Sequence, residues 1–495
     1  MSEKSTKLPL KEHIQNFAPC MHGGLVRKYA QKYDIPESEI LDFSASLNPF
    51  GTPFEHPDIG LDLQNILDSA LKDIKNYPDN RYVEFREAAA RFLGMGVSAE
   101  NIIPGNGSTE IVRLVAECVL DKDDIVILPQ PTFSEYEMQC RITGASFQYI
   151  KQEDILDISD EVLAPAKMIF VCNPNNPTGR LLSREELEIL VERCVRNETI
   201  LFVDEAFIEL ADPQQTIVDI AISNDYVFVM RSLTKSFAIP GIRMGFGVAS
   251  GAMADALNTV RLSWNLGSVA DVTATALLNM EGGCYSSYLV RSRELIQEEY
   301  EFLMDRLSRI YGLEPKPSTV NYILVDMSGL LLDSSELAER MASHGILIRD
   351  CSSFHSLGND YIRLAIRTRE ENERMVLTIG EVLTESAQEH AKEELKQNIE
   401  KSVMPASRNT CEYYPCHSAG QDCTFCFCPF YACEDERTGG KWIESSSGGM
   451  VWSCQECRLI HKGDVTEQVL DFLMDEGDTD ENLKKAWKKV MEPLL

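Results

Sequence analysis

Short apolar runs alternate with amphipathic segments through the middle of the chain. Runs rich in Val, Ile and Leu at 125–128, 168–172, 200–203 and 227–230 have the length of buried strands, and residues 183–196 show helical spacing. Nearly continuous apolar strands that are separated by helices predict a mostly parallel sheet with helices on both faces. The predicted fold class is therefore α/β, and ligands of such sheets bind at the carboxyl ends of the strands.

Each of these strands is followed by a residue with distinctive chemistry. Phe133 and Asn176 follow the first two strands, Asp204 comes directly after the third, and Lys235 follows the fourth. An aspartate at the end of a buried strand is costly unless a partner compensates its charge. A lysine whose amine is desolvated suits Schiff-base chemistry. A surface lysine in a helix-start loop is the alternative when Lys235 is considered alone.

Groups that can hold an anion occur around the lysine and also earlier in the chain. Ser232, Thr234 and Arg243 flank Lys235 in the sequence. A second set begins an amphipathic helix, where free N–H groups and the positive dipole end suit a phosphate. This second set is Gly107, Ser108 and Thr109. Many helices start in this way, so the second set is informative chiefly because it precedes the lysine segment.

The order of these motifs resembles the fold-type I pyridoxal phosphate (PLP) enzymes, in the branch that contains histidinol-phosphate aminotransferases and threonine-phosphate decarboxylases. The segments that carry the resemblance are 173–179, 203–207 and 231–245. The resemblance implies that Lys235 bonds covalently to PLP and that Asp204 pairs with the pyridinium nitrogen. It also implies that Asn176 hydrogen-bonds the 3′ oxygen and that Phe133 stacks on the ring. The two sets of anion-holding groups would then bind the PLP phosphate.

The N-terminal segment resembles the arm that covers the active site in threonine-phosphate decarboxylases. His22-Gly23-Gly24 precedes segment 42–49, which contains Asn48. The resemblance implies that His22 and Asn48 contact the substrate phosphate or its surroundings, whereas residue type alone favours a solvent-facing histidine. Phe207 stands where the aminotransferase branch usually has tyrosine, and this departure favours decarboxylation.

Two arginines on predicted strands of a smaller α/β domain are candidates for binding substrate anions. The planar guanidinium binds two oxygens at once, and the resemblance assigns this role to Arg349 and Arg363, with Asn176 as a further substrate contact. Arg367 is expected to form a surface ion pair. The resemblance also implies that Tyr77 reaches the PLP phosphate of a neighbouring subunit, so that the enzyme is at least a homodimer.

Length and charge narrow the class of protein. A chain of 495 residues with 44% hydrophobic residues is long enough for two or three domains with a large core. A net charge of −31 argues against nucleic acid as a partner. No apolar run reaches the roughly 18 residues of a membrane span. The N-terminus lacks the apolar core of a signal peptide, which predicts a cytoplasmic location.

The fifteen cysteines are unevenly placed. Seven are scattered over residues 20–351 and are expected to be buried in a reducing compartment. The other eight, in a segment that looks like a zinc ribbon, are candidate metal ligands: Cys411, Cys416, Cys423, Cys426, Cys428, Cys433, Cys454 and Cys457. Their two Cys-x-x-Cys pairs have metal-knuckle spacing, and eight thiolates could fill two tetrahedral sites. Because the segment is poor in aliphatic residues, we expect it to fold only with metal; zinc is favoured and an iron–sulfur cluster is the alternative.

These patterns predict five regions and one principal activity. The regions are an N-terminal arm at 1–50, a PLP-binding large domain at 51–315, a small α/β domain at 316–385, a charged helix and linker at 386–410, and a cysteine-rich module at 411–495. The predicted reaction is PLP-dependent decarboxylation of O-phospho-L-threonine to (R)-1-aminopropan-2-ol phosphate, the linker unit of cobamides. The alternative is a histidinol-phosphate-type aminotransferase, because cofactor motifs do not decide which bond breaks.

The cysteine-rich module is predicted to have a regulatory or accessory role. A second catalytic activity, such as threonine phosphorylation, is the alternative for a fused pathway enzyme. The Gly-x-x-x-x-Gly-Lys-Ser/Thr phosphate loop that would support it does not occur in the sequence.

Overall fold

The chain divides into two units, residues 1–373 and 374–495. The computed structural model describes residues 11, 14, 19–72, 74–400, 414, 416–426, 428–444, 450–474 and 478–495. The predicted linker beyond residue 400 and Cys411 lie outside these described residues. Within them, no helix is long and apolar enough to cross a membrane.

The first unit is built on a seven-stranded and a four-stranded sheet. Its strands in chain order are β1 (Leu41–Asp42), β2 (Ile102–Gly105), β3 (Ile125–Gln130), β4 (Ser146–Lys151), β5 (Ala166–Cys172), β6 (Ile200–Asp204), β7 (Val227–Ser232), β8 (Gly245–Val248), β9 (Glu314–Pro315), β10 (Tyr322–Asp326), β11 (Ile346–Leu347), β12 (Arg349–Asp350) and β13 (Tyr361–Ala365). The large sheet has the order β2-β8-β7-β6-β5-β3-β4. Strands β3 to β7 pair in parallel, and β8 is antiparallel to both neighbours. The predicted mostly parallel sheet and its four strands are confirmed.

The central strands are buried on both faces, as their apolar runs predict. Every residue of β6 and β7 is buried. Phe170, Phe202 and Phe228 form a continuous row across β5, β6 and β7, with ring centroids 4.7 and 5.0 Å apart. Such aromatic neighbours add to the stability gained from buried area. The row belongs to the main core, which fixes the strand ends where ligands of such sheets bind.

Helices connect the strands. In the first unit they are α1 (Val26–Tyr33), α2 (Leu63–Lys72), α3 (Val83–Leu93), α4 (Ser108–Val119), α5 (Glu135–Arg141), α6 (Asp160–Leu163), α7 (Arg184–Arg196), α8 (Val218–Ala221), α9 (Leu233–Ser236), α10 (Gly251–Val260), α11 (Ser268–Leu278), α12 (Ser287–Ser308) and α13 (Ser334–Ser343). The predicted helix at 183–196 is α7, which begins after a capping box between Ser183 and Glu186. Cys118 on α4 is exposed and Cys20 is partly exposed, so the expectation that all seven scattered cysteines are buried is wrong.

The small sheet places two candidate arginines side by side. Its order is β12-β13-β10-β9, with every pair antiparallel. The predicted strand at 346–350 is interrupted at Ile348, so that β11 pairs with β1 whereas β12 pairs with β13. In the register of β12 and β13, Arg349 lies directly opposite Arg363.

The second unit contains an apolar core of its own. It includes α14 from residue 374 onward (the helix spans Arg369–Glu400), a hairpin of β14 (Lys441–Glu444) and β15 (Met450–Ser453), and the helices α15 (Gly463–Leu473) and α16 (Thr479–Ala486). Val465, Val469 and Leu473 form one buried face of α15 and pack in a cluster with Val490 and Met491. The expectation that the module is poor in aliphatic core is therefore wrong, because most residues of this cluster follow the cysteine segment, with Phe425 contributed from within it.

Candidate active site

A cavity of about 200 Å³ lies at the carboxyl ends of the central strands. It is lined by nine of the residues predicted from sequence: His22, Ser108, Phe133, Asn176, Asp204, Ser232, Lys235, Arg349 and Arg363. These residues come from the N-terminal arm, the large sheet and the small sheet. The fold therefore brings together side chains that are as far apart in the chain as 22 and 363.

Lys235 stands on α9, directly after β7, and its side chain faces the cavity. The pKa of its amine is lowered to about 8, first by burial and then by the positive charges of Arg363 and Arg243, against the opposing effect of Asp42. The amine lies 5.8 Å from the centroid of the Phe207 ring. A lysine in this setting is available as an uncharged nucleophile much closer to neutral pH than an exposed lysine.

Asp204 ends β6 as a buried carboxyl group, with 4% of the residue exposed. It accepts hydrogen bonds from the Tyr136 phenol at 2.6 Å and from the backbone N–H of Ala206 at 2.9 Å. Burial raises its pKa to about 6. Its neighbour Glu205 is compensated by Arg231 at 2.8 Å, but within the described part of the chain Asp204 has no such ion pair. Its carboxylate thus offers an uncompensated negative charge to a cationic group in the cavity.

Backbone and hydroxyl groups form an anion-binding cradle at the start of α4. Ser108 begins this twelve-residue helix and lines the cavity together with Ser232. Gly107 has a φ of 79°, and a Cβ at this position would lie 2.5 Å from a guanidinium nitrogen of Arg243. A side chain at residue 107 would therefore displace Arg243, which explains the glycine. The free N–H groups of a helix start suit a phosphate.

The remaining predicted phosphate ligands lie next to this cradle without lining the cavity. Thr109 is in the first turn of α4, and Thr234 is buried on α9 between Ser232 and Lys235. Arg243 is exposed, with a φ of 59° and a hydrogen bond from its guanidinium to the carbonyl of Pro240 at 3.3 Å. Their predicted contacts with the phosphate stay predictions.

Arg349 and Arg363 present two guanidinium groups to the cavity. Arg363, 6% exposed, donates to the carbonyl of Ser44 at 2.8 Å and to the side-chain oxygen of Asn176. Arg349 donates to the carbonyl of Met21 at 2.9 Å. Among the described residues neither arginine is in an ion pair, and burial lowers the pKa of both. Two buried cations without carboxylate partners suit an anionic ligand.

Three further residues from the sequence analysis do not line the cavity, namely Arg367, Tyr77 and Asn48. Arg367 forms the predicted ion pair, with Glu371 at 2.7 Å. Tyr77 is 79% exposed and packs on Trp264 with ring centroids 4.6 Å apart.

The side chain of Asn48 is buried and fully engaged in the fold. Its amide donates to the carbonyl of Ser236 at 2.8 Å, to the hydroxyl of Tyr288 at 3.0 Å and to that of Ser292 at 2.8 Å. Its backbone N–H donates to the carbonyl of Lys235 at 3.1 Å. These hydrogen bonds support the segment that carries Lys235, and they leave no amide hydrogen of Asn48 for the predicted contact with the substrate.

His22 lines the cavity and contacts a residue that the sequence reasoning missed. Its Nε2 lies 2.9 Å from Oε1 of Glu135, the first residue of α5. Its ring centroid lies 6.2 Å from that of Phe133. A signal was present in the sequence, because Glu135 comes two residues after Phe133 in a motif already placed at a strand end.

The residues that line the cavity fit PLP. Asp204 provides the negative charge that a protonated ring nitrogen needs, and Lys235 provides an amine with a lowered pKa. Ser108 lies at a helix start that suits the cofactor phosphate, Ser232 lines the same cavity from the end of β7, and Phe133 provides an aromatic face. No single feature is diagnostic, but the combination defines the site of a PLP-dependent enzyme on a fold-type I transferase fold.

Comparison with known proteins gives the family. The chain belongs to the family described as aminotransferase class I and II, whose model matches residues 39–379; a model described as cysteine-rich small domain matches residues 402–484. Histidinol-phosphate aminotransferase from Methanococcus aeolicus is 27% identical over 386 residues, 76% of this chain and 98% of that protein. A putative threonine-phosphate decarboxylase from Caldanaerobacter subterraneus is 30% identical over 368 residues, 72% of this chain and 92% of that protein.

A solved structure shows the same fold. The crystal structure of L-threonine-O-3-phosphate decarboxylase from Porphyromonas gingivalis has a TM-score of 0.61 and 22% sequence identity. The match covers 69% of this chain and 99% of that chain.

Six of the candidate metal ligands of the second unit lie in two groups of neighbours. In the first, the side-chain amide of Gln421 donates to the sulfur of Cys416 at 2.9 Å and to that of Cys423 at 3.5 Å. Cys426 is exposed, and Cys411 lies outside the described residues.

The second group contains Cys428, Cys433, Cys454 and Cys457. Burial raises the pKa of the Cys428 thiol, and the other three thiols are close enough to raise it further. Burial also raises the pKa of Cys454 to about 11. Within the described residues, no three His, Cys, Asp or Glu side chains are arranged to hold a metal ion.

Proposed function

We propose that this protein is a threonine-phosphate decarboxylase, which converts O-phospho-L-threonine to (R)-1-aminopropan-2-ol phosphate. The observation that carries the proposal is that His22, Arg349 and Arg363 all line one cavity with Lys235. Phosphothreonine has both a carboxylate and a phosphate, and two arginines with a histidine provide donors for both groups. The absence of a hydroxyl at Phe207 and the relative described as a threonine-phosphate decarboxylase also favour this reaction.

PLP, when bound, supplies a protonated ring that withdraws electrons from the bonds at the substrate Cα. Asp204 keeps the proton on the ring nitrogen, since its buried carboxylate has no other cation to compensate it among the described residues. Lys235 would hold the cofactor through its amine, and the same amine would return a proton to the substrate Cα after CO₂ has left.

The arginines and the arm decide which bond breaks. The orientation of the bound substrate selects the bond that the cofactor would weaken. His22 and Arg349 would hold the substrate phosphate, and Arg363, which donates to the side-chain oxygen of Asn176, would hold the carboxylate.

Transamination of histidinol phosphate is the second candidate, and the relatives favour it. Histidinol-phosphate aminotransferases match the chain over nearly their whole length. Their substrate also carries a phosphate, so the arginines fit both reactions. An assay of the purified holoenzyme with phosphothreonine distinguishes them, because decarboxylation releases CO₂ without a keto acid whereas transamination requires one. We further propose that the product serves as the linker unit of cobamides.

We propose that the second unit is an accessory, metal-binding module in the holoprotein. Eight clustered cysteines, two Cys-x-x-Cys pairs and the match to a cysteine-rich domain support this proposal. The separate apolar core around α15 indicates that metal is not the module's sole source of stability. Metal analysis of anaerobically purified protein tests the proposal: zinc or iron with sulfide supports it, and a metal-free module refutes it.

A further inference from the structure

Three contacts hold the segment that carries His22 against the cavity. The guanidinium of Arg349 donates to the carbonyl of Met21 at 2.9 Å, and the N–H of Gly24 donates to the hydroxyl of Ser44 at 2.9 Å. Both contacts use backbone atoms of the arm. The third contact, between Nε2 of His22 and Oε1 of Glu135 at 2.9 Å, acts on the imidazole and controls where it points. The thiol of Cys20, two residues earlier in the arm, also contacts Ser134 and Glu135.

The surroundings of Glu135 suit a hydrogen bond with an imidazole. It is buried at the start of α5, and its second oxygen accepts a hydrogen bond from the side chain of Gln139 at 2.6 Å. The hydrogen bond from His22 lowers the pKa of Glu135 against the opposing effect of burial, so the carboxylate is charged at neutral pH. Within the described residues no lysine or arginine is paired with it. Its charge is directed at the imidazole of His22.

This contact leaves one ring nitrogen of His22 available. An ionised carboxylate accepts a hydrogen bond from Nε2–H, which fixes the orientation of the ring. Nδ1 has no hydrogen-bond partner among the described residues, and when both ring nitrogens carry a proton it would donate to a phosphate in the cavity that the ring lines with Arg349. Glu135 does not repel a phosphate strongly, because each of its oxygens is in a hydrogen bond, one with the imidazole of His22 and the other with Gln139.

We propose that Glu135 is a positioning residue that latches the N-terminal arm through His22 and thereby sets the affinity of the cavity for the substrate phosphate. The inference rests on the proposed function to the extent that His22 is a phosphate ligand. Without the latch the imidazole turns toward solvent, while the two arginines remain. Phosphate binding then weakens, and the chemistry at Lys235 is unchanged.

The test compares Glu135→Gln with Glu137→Gln in the PLP-loaded enzyme. Both changes remove one negative charge from α5, but Glu137 pairs with Arg141 instead of with the arm. The readouts are the Kd for inorganic phosphate by calorimetry, and KM and kcat for O-phospho-L-threonine. Bound PLP occupies its own phosphate site, so added phosphate reports on the substrate site.

We expect Glu135→Gln to raise the phosphate Kd and the KM about tenfold, because the loss of one charge-assisted hydrogen bond costs about that much in affinity. The kcat should stay within about twofold of the wild-type value. Glu137→Gln leaves all three unchanged. In the His22→Ala background, Glu135→Gln has no further effect, because Glu135 acts through His22. If Glu135→Gln loses PLP, Glu135→Asp replaces it and is expected to give an intermediate Kd.

A phosphate Kd equal to that of the wild type, or additive effects of the two changes, would overturn the inference. Phosphate binding does not depend on which bond of the substrate breaks. If phosphothreonine is not decarboxylated but the phosphate Kd still responds to Glu135, the proposed function fails and the latch stands.

Discussion

The phenol of Tyr136 donates a 2.6 Å hydrogen bond to Oδ2 of Asp204 at the end of β6. Tyr136 belongs to α5 and Asp204 to the central sheet, so this bond fixes the carboxylate from a second element. Both described partners of the carboxylate are neutral donors, which position its charge without compensating it. The apoprotein consequently bears the cost of a buried negative charge that a protonated cofactor would remove.

Asp204→Asn should stabilise the apoprotein and abolish retention of PLP. The folded-state pKa of Asp204 is raised from 3.8 to about 6, so the folded state binds more protons than the unfolded state between these values. The stability of the apoprotein therefore falls as pH rises through this range, by up to about 3 kcal/mol. Denaturant unfolding of both apoproteins should show a gain for the variant at about pH 7.5 and none at about pH 4.

In the holoprotein the same substitution should be unfavourable, because it weakens the binding of PLP. Dialysis should remove PLP from Asp204→Asn faster than from the wild type, because the amide carries no charge for the ring nitrogen. A variant that keeps PLP as well as the wild type would show that Asp204 does not serve the cofactor.

Incorporation of PLP into the apoprotein should accelerate as pH rises through about 8. Burial first, and then Arg363, lowers the pKa of Lys235 from 10.5 to about 8, so the uncharged amine becomes abundant above that pH. Stopped-flow absorbance measures the rate, and Lys235→Ala is the control that should give no covalent species. A rate that keeps increasing until about pH 10.5 would mean that the amine is not perturbed.

Arg349→Lys should raise the KM for phosphothreonine by about tenfold or more, because lysine lacks the planar fork that binds two oxygens. Arg367→Lys is the matched control, since Arg367 is in an ion pair with Glu371 and does not line the cavity. Steady-state kinetics measures both. Equal effects of the two substitutions would contradict the assignment of Arg349 to the substrate.

Tyr77 should act on the site of a partner subunit, if the active enzyme is the proposed homodimer. Its 79% exposure and its packing on Trp264, itself 47% exposed, place an aromatic pair on the surface and away from the cavity of its own chain. Mixed dimers of Tyr77→Ala and Lys235→Ala chains would then contain one intact site. Activity above that of either variant alone is expected after mixing; no recovery would mean that Tyr77 acts within its own chain or not at all.

Removal of the cysteine-rich module should leave decarboxylation intact. All residues that line the cavity fall between 21 and 363, and Methanococcus aeolicus histidinol-phosphate aminotransferase is matched over 98% of its length by 76% of this chain. A chain truncated after residue 400 should therefore bind PLP and retain kcat and KM within about twofold of the full-length values. Loss of the chemical step despite bound PLP would assign the module a catalytic part.

Local sequence patterns were sufficient for the parts of the fold that depend on local chemistry. Strands β5 to β7 follow from unbroken apolar runs, and Asp204 and Lys235 stand out because each is a charged residue at or just beyond the end of such a strand. Glu135 and Tyr136 could not be assigned in this way. Their roles come from contacts with His22 and Asp204, which lie 113 and 68 residues away in the chain.

Two other results depended on tertiary structure in a similar way. Asn48 has a motif that suits a ligand contact, but α12 provides Tyr288 and Ser292, which take up its amide hydrogens. The apolar face of α15 does not stand out in the sequence, because the cysteines dominate the composition of the preceding segment. For Asn48, packing partners that lie 240 and 244 residues away in the chain decided the outcome.

The most direct measurement is the product balance of the purified holoenzyme with O-phospho-L-threonine and no keto acid. Decarboxylation predicts one CO₂ and one 1-aminopropan-2-ol phosphate for each substrate consumed, with neither product from Lys235→Ala. Turnover that requires 2-oxoglutarate, releases no CO₂ and is faster with histidinol phosphate would contradict the decarboxylase proposal and identify an aminotransferase.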